Sequence, residues 1–173
     1  MKISEDFIHK SECYFGSHPL SRMLRVMISD GSSAVVLYRL YEFFRKIKLE
    51  VIGYIFLELN KLLNGCVIGR KAEFEGGFVL MHPIGVVINA GVKGGRNIVL
   101  ESSVVIGAAR NGLPVEVPVL GHNIFIGSGA KVLGGIKIGN NVKIGANAVV
   151  LNNVPDGATV VGIPARVVKV EGQ

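Results

Sequence analysis

The chain contains 173 residues, with 19 Lys and Arg against 13 Asp and Glu and a formal net charge of +6 near neutral pH. This length indicates one domain with at most a small accessory part, and the positive balance suits an anionic ligand, a nucleotide-linked substrate or an acidic membrane surface. No nucleic-acid-binding motif is found, and no uncharged apolar run approaches the roughly 20 residues that span a bilayer. We therefore expect neither nucleic-acid binding nor a transmembrane segment.

The cysteines and the first residues bear on the compartment. Cys13 and Cys66 lie far apart in sequence, and no metal or redox motif surrounds either of them. A disulfide framework is therefore not expected, and the mixed charge of the first residues does not resemble a signal peptide. We expect a cytoplasmic protein.

The first 32 residues are weakly patterned. A break is expected at 17–19, and the segment SRMLRVMIS at 21–29 predicts a short helix. His9 and His18 lie in this polar region, and no role is assigned to either.

From about residue 33 to residue 63, apolar residues recur at steps of three and four, which indicates amphipathic helix. Ser32 or Ser33 can cap its start, and Gly53 is expected to divide it into two helices. The helix is expected to end at Gly65, because glycine is common just beyond a helix.

This helical segment is rich in aromatic residues and carries Arg45, Lys46 and Lys48 close together. Such a composition is typical of a helix on an acidic membrane surface, and also of a helix packed on a partner subunit. Packing is favoured because the repeat array that follows has an open end that needs a cover. Peripheral membrane contact is kept as the alternative.

The rest of the chain follows a six-residue repeat that begins near Ile68. From 120 to 155 the unit is written six times as LGHNIF, IGSGAK, VLGGIK, IGNNVK, IGANAV and VLNNVP, with an aliphatic residue always first. A period of six keeps no single face on a helix. A short strand at each first place with a tight corner of Gly or Asn after it does fit the pattern. Stacked units of this kind form a parallel β-solenoid.

The repeat is suspended once, between Ile106 and Leu120. A loop that leaves a solenoid while its base stays fixed is a common place for function. The predicted units are an N-terminal helical region at 1–65, a solenoid at 66–155 with an excursion loop at 107–119, and a tail at 156–173.

Four stretches carry a family resemblance: MHPIGVVI at 81–88, IGAARNGLPVEVPVLG at 106–121, IGSGAKVLGGIKIG at 126–139 and VPDGATVVGIPARVV at 154–168. From about Cys66 to Val168 the chain resembles the serine O-acetyltransferases among the hexapeptide-repeat acyltransferases. The resemblance implies a mainly β fold, namely a left-handed parallel β-helix with a short N-terminal α-helical region. It also implies a homotrimer with sites between subunits, acetyl-CoA as co-substrate and no metal.

His82 is the candidate catalytic residue. It lies at a predicted corner just before Pro83, and a neutral imidazole can take the proton from a hydroxyl that attacks a thioester. The resemblance implies this role, because the matching histidine of the family acts as the base. The alternative is a corner histidine bonded only to backbone. The enzymatic interpretation requires the ring to face outwards, towards a groove between subunits.

The resemblance is incomplete around this histidine. Serine acetyltransferases carry aspartates where this chain has Met81 and Val67, and an Arg-His pair where it has Glu116 and Val117. In the family those groups hold the charged ends of serine and orient the imidazole, and an apolar side chain cannot pair with a zwitterion. We therefore expect a hydroxyl of a sugar or glycan precursor as the acceptor, with free serine as the alternative.

Two glutamates and a second histidine are further candidates for the site. Glu101 or Glu116 can orient His82 in place of the missing aspartate and contact the substrate. His122 lies at a corner of a later unit, where a solvated histidine is favoured over a substrate contact.

Residues for acetyl-CoA follow from the resemblance, in which the pantetheine arm lies along the coils between subunits. The matching positions here are Gly107, Ala108, Gly129, Ala130, Lys131, Ala146 and Arg166. A backbone N–H near Gly107 or Ala108 can also stabilise a tetrahedral oxyanion, an effect typically worth ~3 kcal/mol. Lys131 shares the sixth place of the unit with Lys137 and Lys143, and the three are predicted to lie on different faces.

Two other functions are weighed. A non-catalytic interaction protein that keeps the fold accounts for the missing polar positions but not for His82. A zinc-dependent carbonic anhydrase of this architecture needs three converging histidines, whereas the predicted solenoid contains only His82 and His122.

Overall fold

The structure is a computed structural model that describes residues 2–16, 20–109 and 115–170. The predicted break at 17–19, with His18, lies outside the described residues. So do the middle of the excursion loop at 110–114 and the end of the tail at 171–173.

Four helices precede the strands: α1 (Lys2–Phe15), α2 (Leu20–Met27), α3 (Ser32–Lys46) and α4 (Glu50–Asn64). Helix α2 matches the predicted short helix, whereas α1 was not predicted. The reason is that α1 buries Asp6, Lys10 and Ser11 against the rest of the protein, so its inner face carries no apolar period.

Helices α3 and α4 form an antiparallel hairpin whose ends differ in part from the prediction. The cap of α3 is Gly31, with a positive φ and no side-chain hydrogen bond, rather than Ser32 or Ser33. The two helices are separated at 47–49. Gly53 lies inside α4, where an added Cβ atom would come within 3.1 Å of the Tyr41 ring. The predicted end at Gly65 is confirmed, with φ 58°.

Fifteen short strands follow in the described part of the chain. They are β1 (Val67–Ile68), β2 (Glu73–Phe74), β3 (Val79–Leu80), β4 (Val87–Ile88), β5 (Lys93–Gly94), β6 (Ile98–Leu100), β7 (Val105–Gly107), β8 (Val119–Leu120), β9 (Ile124–Ile126), β10 (Lys131–Leu133), β11 (Lys137–Ile138), β12 (Lys143–Ile144), β13 (Val149–Val150), β14 (Ala158–Val161) and β15 (Arg166–Val170).

The strands form three sheets, and from β1 to β14 consecutive strands belong to different sheets, as the repeat predicts. Sheet A contains β1, β4, β7, β10 and β13, and sheet B contains β2, β5, β8 and β11. Sheet C contains β3, β6, β9, β12, β14 and β15. All pairs are parallel except β14 with β15. Three successive strands therefore make one coil of a solenoid. We name its edges by the sheets they join in chain order: C–A, A–B and B–C.

The core is a stack of aliphatic side chains with an aromatic cover at the helical end. Equivalent places pair from coil to coil, so that Ile88 lies beside Ile106 and Ile106 beside Val132. Tyr38 of α3 packs edge-on against Phe78, with ring centroids 5.6 Å apart, and its hydroxyl donates to the Ala72 carbonyl. The helices thus close the open end of the solenoid.

A buried ion network joins α1, α3 and the first coil. The Arg39 guanidinium donates to both carboxylate oxygens of Asp6, at 2.7 and 2.9 Å, and to the carbonyls of Phe74 and Glu75. Asp6 in turn accepts the Phe78 N–H. These bonds fix the helical region on the coil that carries His82. Over the residues described, no helix is both long enough and apolar enough to cross a bilayer.

Candidate active site

His82 lies on the C–A edge, two residues after the end of β3. The strand before it is held by the bond from the Met81 N–H to the Leu100 carbonyl, at 2.9 Å. The imidazole side chain is 55% exposed and faces outwards. The ring is therefore accessible to a ligand, as the enzymatic interpretation requires.

The imidazole contacts a carboxylate from the helical region. His82 Nδ1 lies 3.1 Å from Oδ2 of Asp30, which belongs to the turn between α2 and α3. An ionised carboxylate only accepts hydrogen bonds, so Nδ1 carries the proton and donates it. In the neutral ring this leaves the lone pair on Nε2, which is the form that a general base needs.

Asp30 is a contact of His82 that sequence reasoning missed. It lies 52 residues before His82 in a turn with no motif, so no spacing signal linked the two. The carboxylate partner of His82 is thus Asp30, and not Glu101 or Glu116 as predicted.

Glu101 lies on the same edge one coil further on. The pairing of Leu80 with Leu100 puts Glu101 level with Met81, and its N–H donates to the Ile126 carbonyl. Tyr14 of α1 approaches the same region. Burial raises the pKa of the Tyr14 hydroxyl, and the carboxylates of Asp30 and Glu101 raise this pKa further. Helix α1 therefore borders the predicted site.

Glu116 lies elsewhere, close to Gly135 on the A–B edge. A Cβ atom on Gly135 would lie 2.9 Å from the Glu116 Cβ. Gly135 follows β10 of sheet A, whereas His82 follows β3 of sheet C. Glu116 and His82 are therefore on different edges of the same protomer.

Three of the residues predicted for acetyl-CoA lie on or near the C–A edge. Gly129 has φ 74° and donates its N–H to the Ser102 carbonyl at 2.8 Å. Ala146 is exposed at the corner between β12 and β13. Ala130 differs, because it is fully buried and both of its backbone groups bond within the solenoid. Its side chain is therefore part of the core.

Lys131 lies on sheet A next to that edge. Its Nζ donates to the carbonyl oxygens of Gly129, at 2.6 Å, and of Ser103, at 3.0 Å. The prediction of three faces is confirmed, since Lys131 lies on sheet A, Lys137 on sheet B and Lys143 on sheet C.

The other predicted residues lie across sheet A or at the end of the solenoid. Gly107 ends β7 at the A–B edge, where its carbonyl accepts the Gly134 N–H, and Ala108 follows it. Arg166 begins β15 and is exposed. A single protomer therefore does not bring His82, Gly107 and Arg166 onto one edge.

The second solenoid histidine is on a third edge. His122 follows β8 at the B–C edge, and its Nδ1 accepts the Arg96 N–H at 2.9 Å. His122 is thus a corner histidine bonded to the backbone, which is the arrangement considered as the alternative for His82. It lies on a different edge from His82. Within the ranges described, no group of three or more His, Cys, Asp or Glu side chains could hold a metal ion.

The sequence is similar to hexapeptide-repeat transferases, in agreement with the solenoid fold. The pattern of the family "Bacterial transferase hexapeptide (six repeats)" matches residues 118–152. A serine acetyltransferase of Synechococcus elongatus is 38% identical over 138 residues, which is 80% of this chain and 57% of that protein. One from Helicobacter pylori (strain J99) is 33% identical over 143 residues, which is 83% of this chain and 84% of the relative.

The fold is also found among solved structures. The serine acetyltransferase from Brucella abortus strain S19, in complex with coenzyme A, superposes with a TM-score of 0.85 at 25% identity, and the match covers 99% of this chain and 68% of the other. The predicted left-handed parallel β-helix with a short helical region is thereby confirmed.

The match to relatives is long but does not always cover the whole relative. The chain spans 57% and 61% of the lengths of the serine acetyltransferases from Synechococcus elongatus and Staphylococcus xylosus. It covers more than two thirds of the Helicobacter pylori protein. On the repeat, the fold and this identity, the chain belongs to the serine acetyltransferase family of hexapeptide-repeat transferases.

Proposed function

We propose that this chain transfers the acetyl group of acetyl-CoA to the hydroxyl of serine, with His82 as general base. The observation that carries the proposal is an exposed imidazole whose Nδ1 is engaged by Asp30, so that Nε2 is left as the proton acceptor. The relatives are named serine acetyltransferases, and one related structure holds coenzyme A.

The reaction needs one base and one oxyanion site. Nε2 of His82 takes the proton of the acceptor hydroxyl while the oxygen attacks the thioester carbonyl. The tetrahedral intermediate carries its charge on the former carbonyl oxygen, for which a backbone N–H near Gly107 or Ala108 is the proposed donor. Collapse breaks the carbon–sulfur bond, and the CoA sulfur leaves with the proton from His82. No covalent enzyme intermediate is required.

Serine replaces the sugar hydroxyl that the sequence favoured as acceptor. That expectation was based on Val67 and Met81, which cannot pair with the charges of an amino acid. The comparisons give a sugar acceptor no support, because the matched relatives are serine acetyltransferases. Asp30 also supplies a carboxylate beside His82 that the solenoid positions lack.

The site is proposed to be completed by a second copy of the chain in a homotrimer. His82 and Gly107, where the excursion loop begins, lie on opposite sides of sheet A. One protomer alone therefore does not bring the general base and the oxyanion donor together. An acetyl-CoA molecule in a groove between two copies can meet Lys131 of one protomer and the Gly107 edge of another. Arg166 is the proposed basic contact for its phosphates.

The test measures release of the CoA thiol from acetyl-CoA with serine, and with a panel of sugars and other hydroxyl amino acids. We expect turnover with serine, and a loss of about a hundredfold or more in kcat for His82→Ala. His122→Ala is the matched control, because it removes the other solenoid corner histidine. Near-normal activity of folded His82→Ala would contradict the proposed base. A wild type that releases no thiol with any acceptor would favour a non-catalytic role.

A further inference from the structure

Serine acetyltransferases carry aspartates on the solenoid near the catalytic histidine, and this chain has Val67 and Met81 at those positions. His82 nevertheless has a carboxylate partner. We propose that Asp30, from the turn between α2 and α3, positions His82 for catalysis by fixing its tautomer and stabilising the imidazolium that forms. Asp30 is a positioning residue, since it acts through His82. The inference rests on the proposed function and assigns part of the active site to the helical region.

The contact between His82 and Asp30 contributes little to the stability of the fold. Both side chains are more than half exposed, at 55% for His82 and 67% for Asp30. An exposed ion pair contributes little to folding, because water competes for both groups. A hydrogen bond that contributes little to folding, but in the neutral ring leaves Nε2 unprotonated on an exposed side chain, suits a role in orienting the ring.

The turn that carries Asp30 is fixed on both sides by hydrogen bonds. Ser32 Oγ and Ser29 Oγ both donate to the Val26 carbonyl, at 2.6 and 2.7 Å. The Ser32 N–H donates to the Ser29 carbonyl at 3.2 Å. The backbone at Asp30 therefore has few alternative arrangements.

Lys10 of α1 joins this turn to the coil of His82. The ammonium is buried and donates to the Asp30 carbonyl, to Ser32 Oγ at 3.0 Å and to the Leu80 carbonyl at 3.3 Å. Leu80 is only two residues before His82. The Lys10 side chain thus holds together the segment that carries Asp30 and the segment that carries His82.

The first experiment measures the tautomer of His82 directly, without reference to activity. Proton–nitrogen spectra of protein labelled with ¹⁵N-histidine are recorded, and His82→Ala assigns the ring. We expect the neutral ring to be protonated mainly at Nδ1 in the wild type, and to shift towards Nε2 protonation in Asp30→Ala. Glu12→Ala is the matched control, because Glu12 also lies within 3.5 Å of a histidine ring, that of His9.

The second experiment measures kinetics in a double-mutant cycle. Asp30→Ala is expected to lower kcat about tenfold to a hundredfold with little change in the Michaelis constant for acetyl-CoA. Asp30→Asn, which keeps the shape of the side chain, should change kcat in the same direction. In the His82→Ala background, Asp30→Ala should have no further effect, because a positioning residue has nothing left to position. Glu12→Ala should retain full activity.

Two results would overturn the assignment: an unchanged tautomer in Asp30→Ala, or an equal loss of activity whether or not His82 is present. If the wild type transfers no acetyl group, the proposed function fails. The tautomer then decides this proposal alone, and an identical spectrum of the His82 ring in wild type and Asp30→Ala refutes it.

Discussion

A Cβ atom on Gly31 would lie 2.0 Å from the carbonyl oxygen of Leu80. The residue that follows Asp30 is thus in direct contact with the backbone that leads to His82. Gly31 also has φ 75°, a left-handed conformation that costs other residues free energy. The close approach of this turn to the first coil is what brings the carboxylate to the imidazole.

Gly31→Ala is expected to lower the free energy of unfolding by about 2–4 kcal/mol, since it combines backbone strain with a steric clash. It should also lower kcat, because relief of the clash moves Asp30 from His82. Gly16→Ala is the control: Gly16 has φ 66° with no atom within 4 Å of its added Cβ. Urea unfolding and acetyl-transfer rates are the measurements. Equal effects of the two substitutions would show that the contact with Leu80 is unimportant.

Lys131→Glu is expected to raise the Michaelis constant for acetyl-CoA more than it lowers kcat. The substitution places a negative charge beside an anionic cofactor and removes the bonds to the Gly129 and Ser103 carbonyls. Lys137→Glu and Lys143→Glu make the same change at the same place of the repeat on sheets B and C. If either of them raises the constant as much, the effect is one of net charge and not of a site on sheet A.

Lys10 gives a pH dependence whose sign can be worked out. Burial lowers the pKa of Lys10 in the folded protein to about 8, from an ordinary value of 10.5. Between these values the unfolded chain binds more protons than the folded one, so the contribution of Lys10 to the free energy of unfolding rises with pH. Below about pH 8 both states are protonated and the contribution is flat.

The difference in unfolding free energy between wild type and Lys10→Met should therefore increase from about pH 8 to about pH 10. Chemical unfolding at a series of pH values measures it. A flat profile for Lys10→Met would mean that this ammonium is not buried as described.

Sheet A presents a row of outward side chains that suits a subunit interface. From coil to coil the row reads Val67, Val87, Val105, Lys131 and Val149. The corresponding row of sheet B contains Glu73, Lys93, Val119 and Lys137. Four of these five positions on sheet A are valine, and apolar side chains on an outer face are stabilised when a partner covers them.

Val87→Glu is expected to convert the proposed trimer to monomers, because it places a charge among the valines of this row. Lys93→Glu introduces the same side chain on sheet B of the same coil and should leave the proposed trimer intact. Light scattering after size-exclusion chromatography measures the mass of each variant. A trimer that survives Val87→Glu would move the interface to another face.

The solenoid was readable from the sequence because its physics is local. An aliphatic residue at every sixth place with Gly or Asn at the corners leaves few arrangements other than stacked coils, and the three faces of Lys131, Lys137 and Lys143 followed from counting alone. The helical hairpin followed from apolar spacing. Its division at Gly53 was wrong, because a glycine that accommodates the Tyr41 ring gives the same signal as one that ends a helix.

Helix α1 and the partner of His82 needed the tertiary structure. Helix α1 buries Asp6 and Lys10, so its inner face has the composition of a solvated segment. The partners of these charges come from distant parts of the chain, among them Arg39 for Asp6 and the carbonyls of Asp30 and Leu80 for Lys10. The sequence by itself determined the coils, the corners and the single candidate base on the C–A edge. Only the folded chain decided which carboxylate reaches that base, because the pairing of Asp30 with His82 depends on how the helices pack on the first coil.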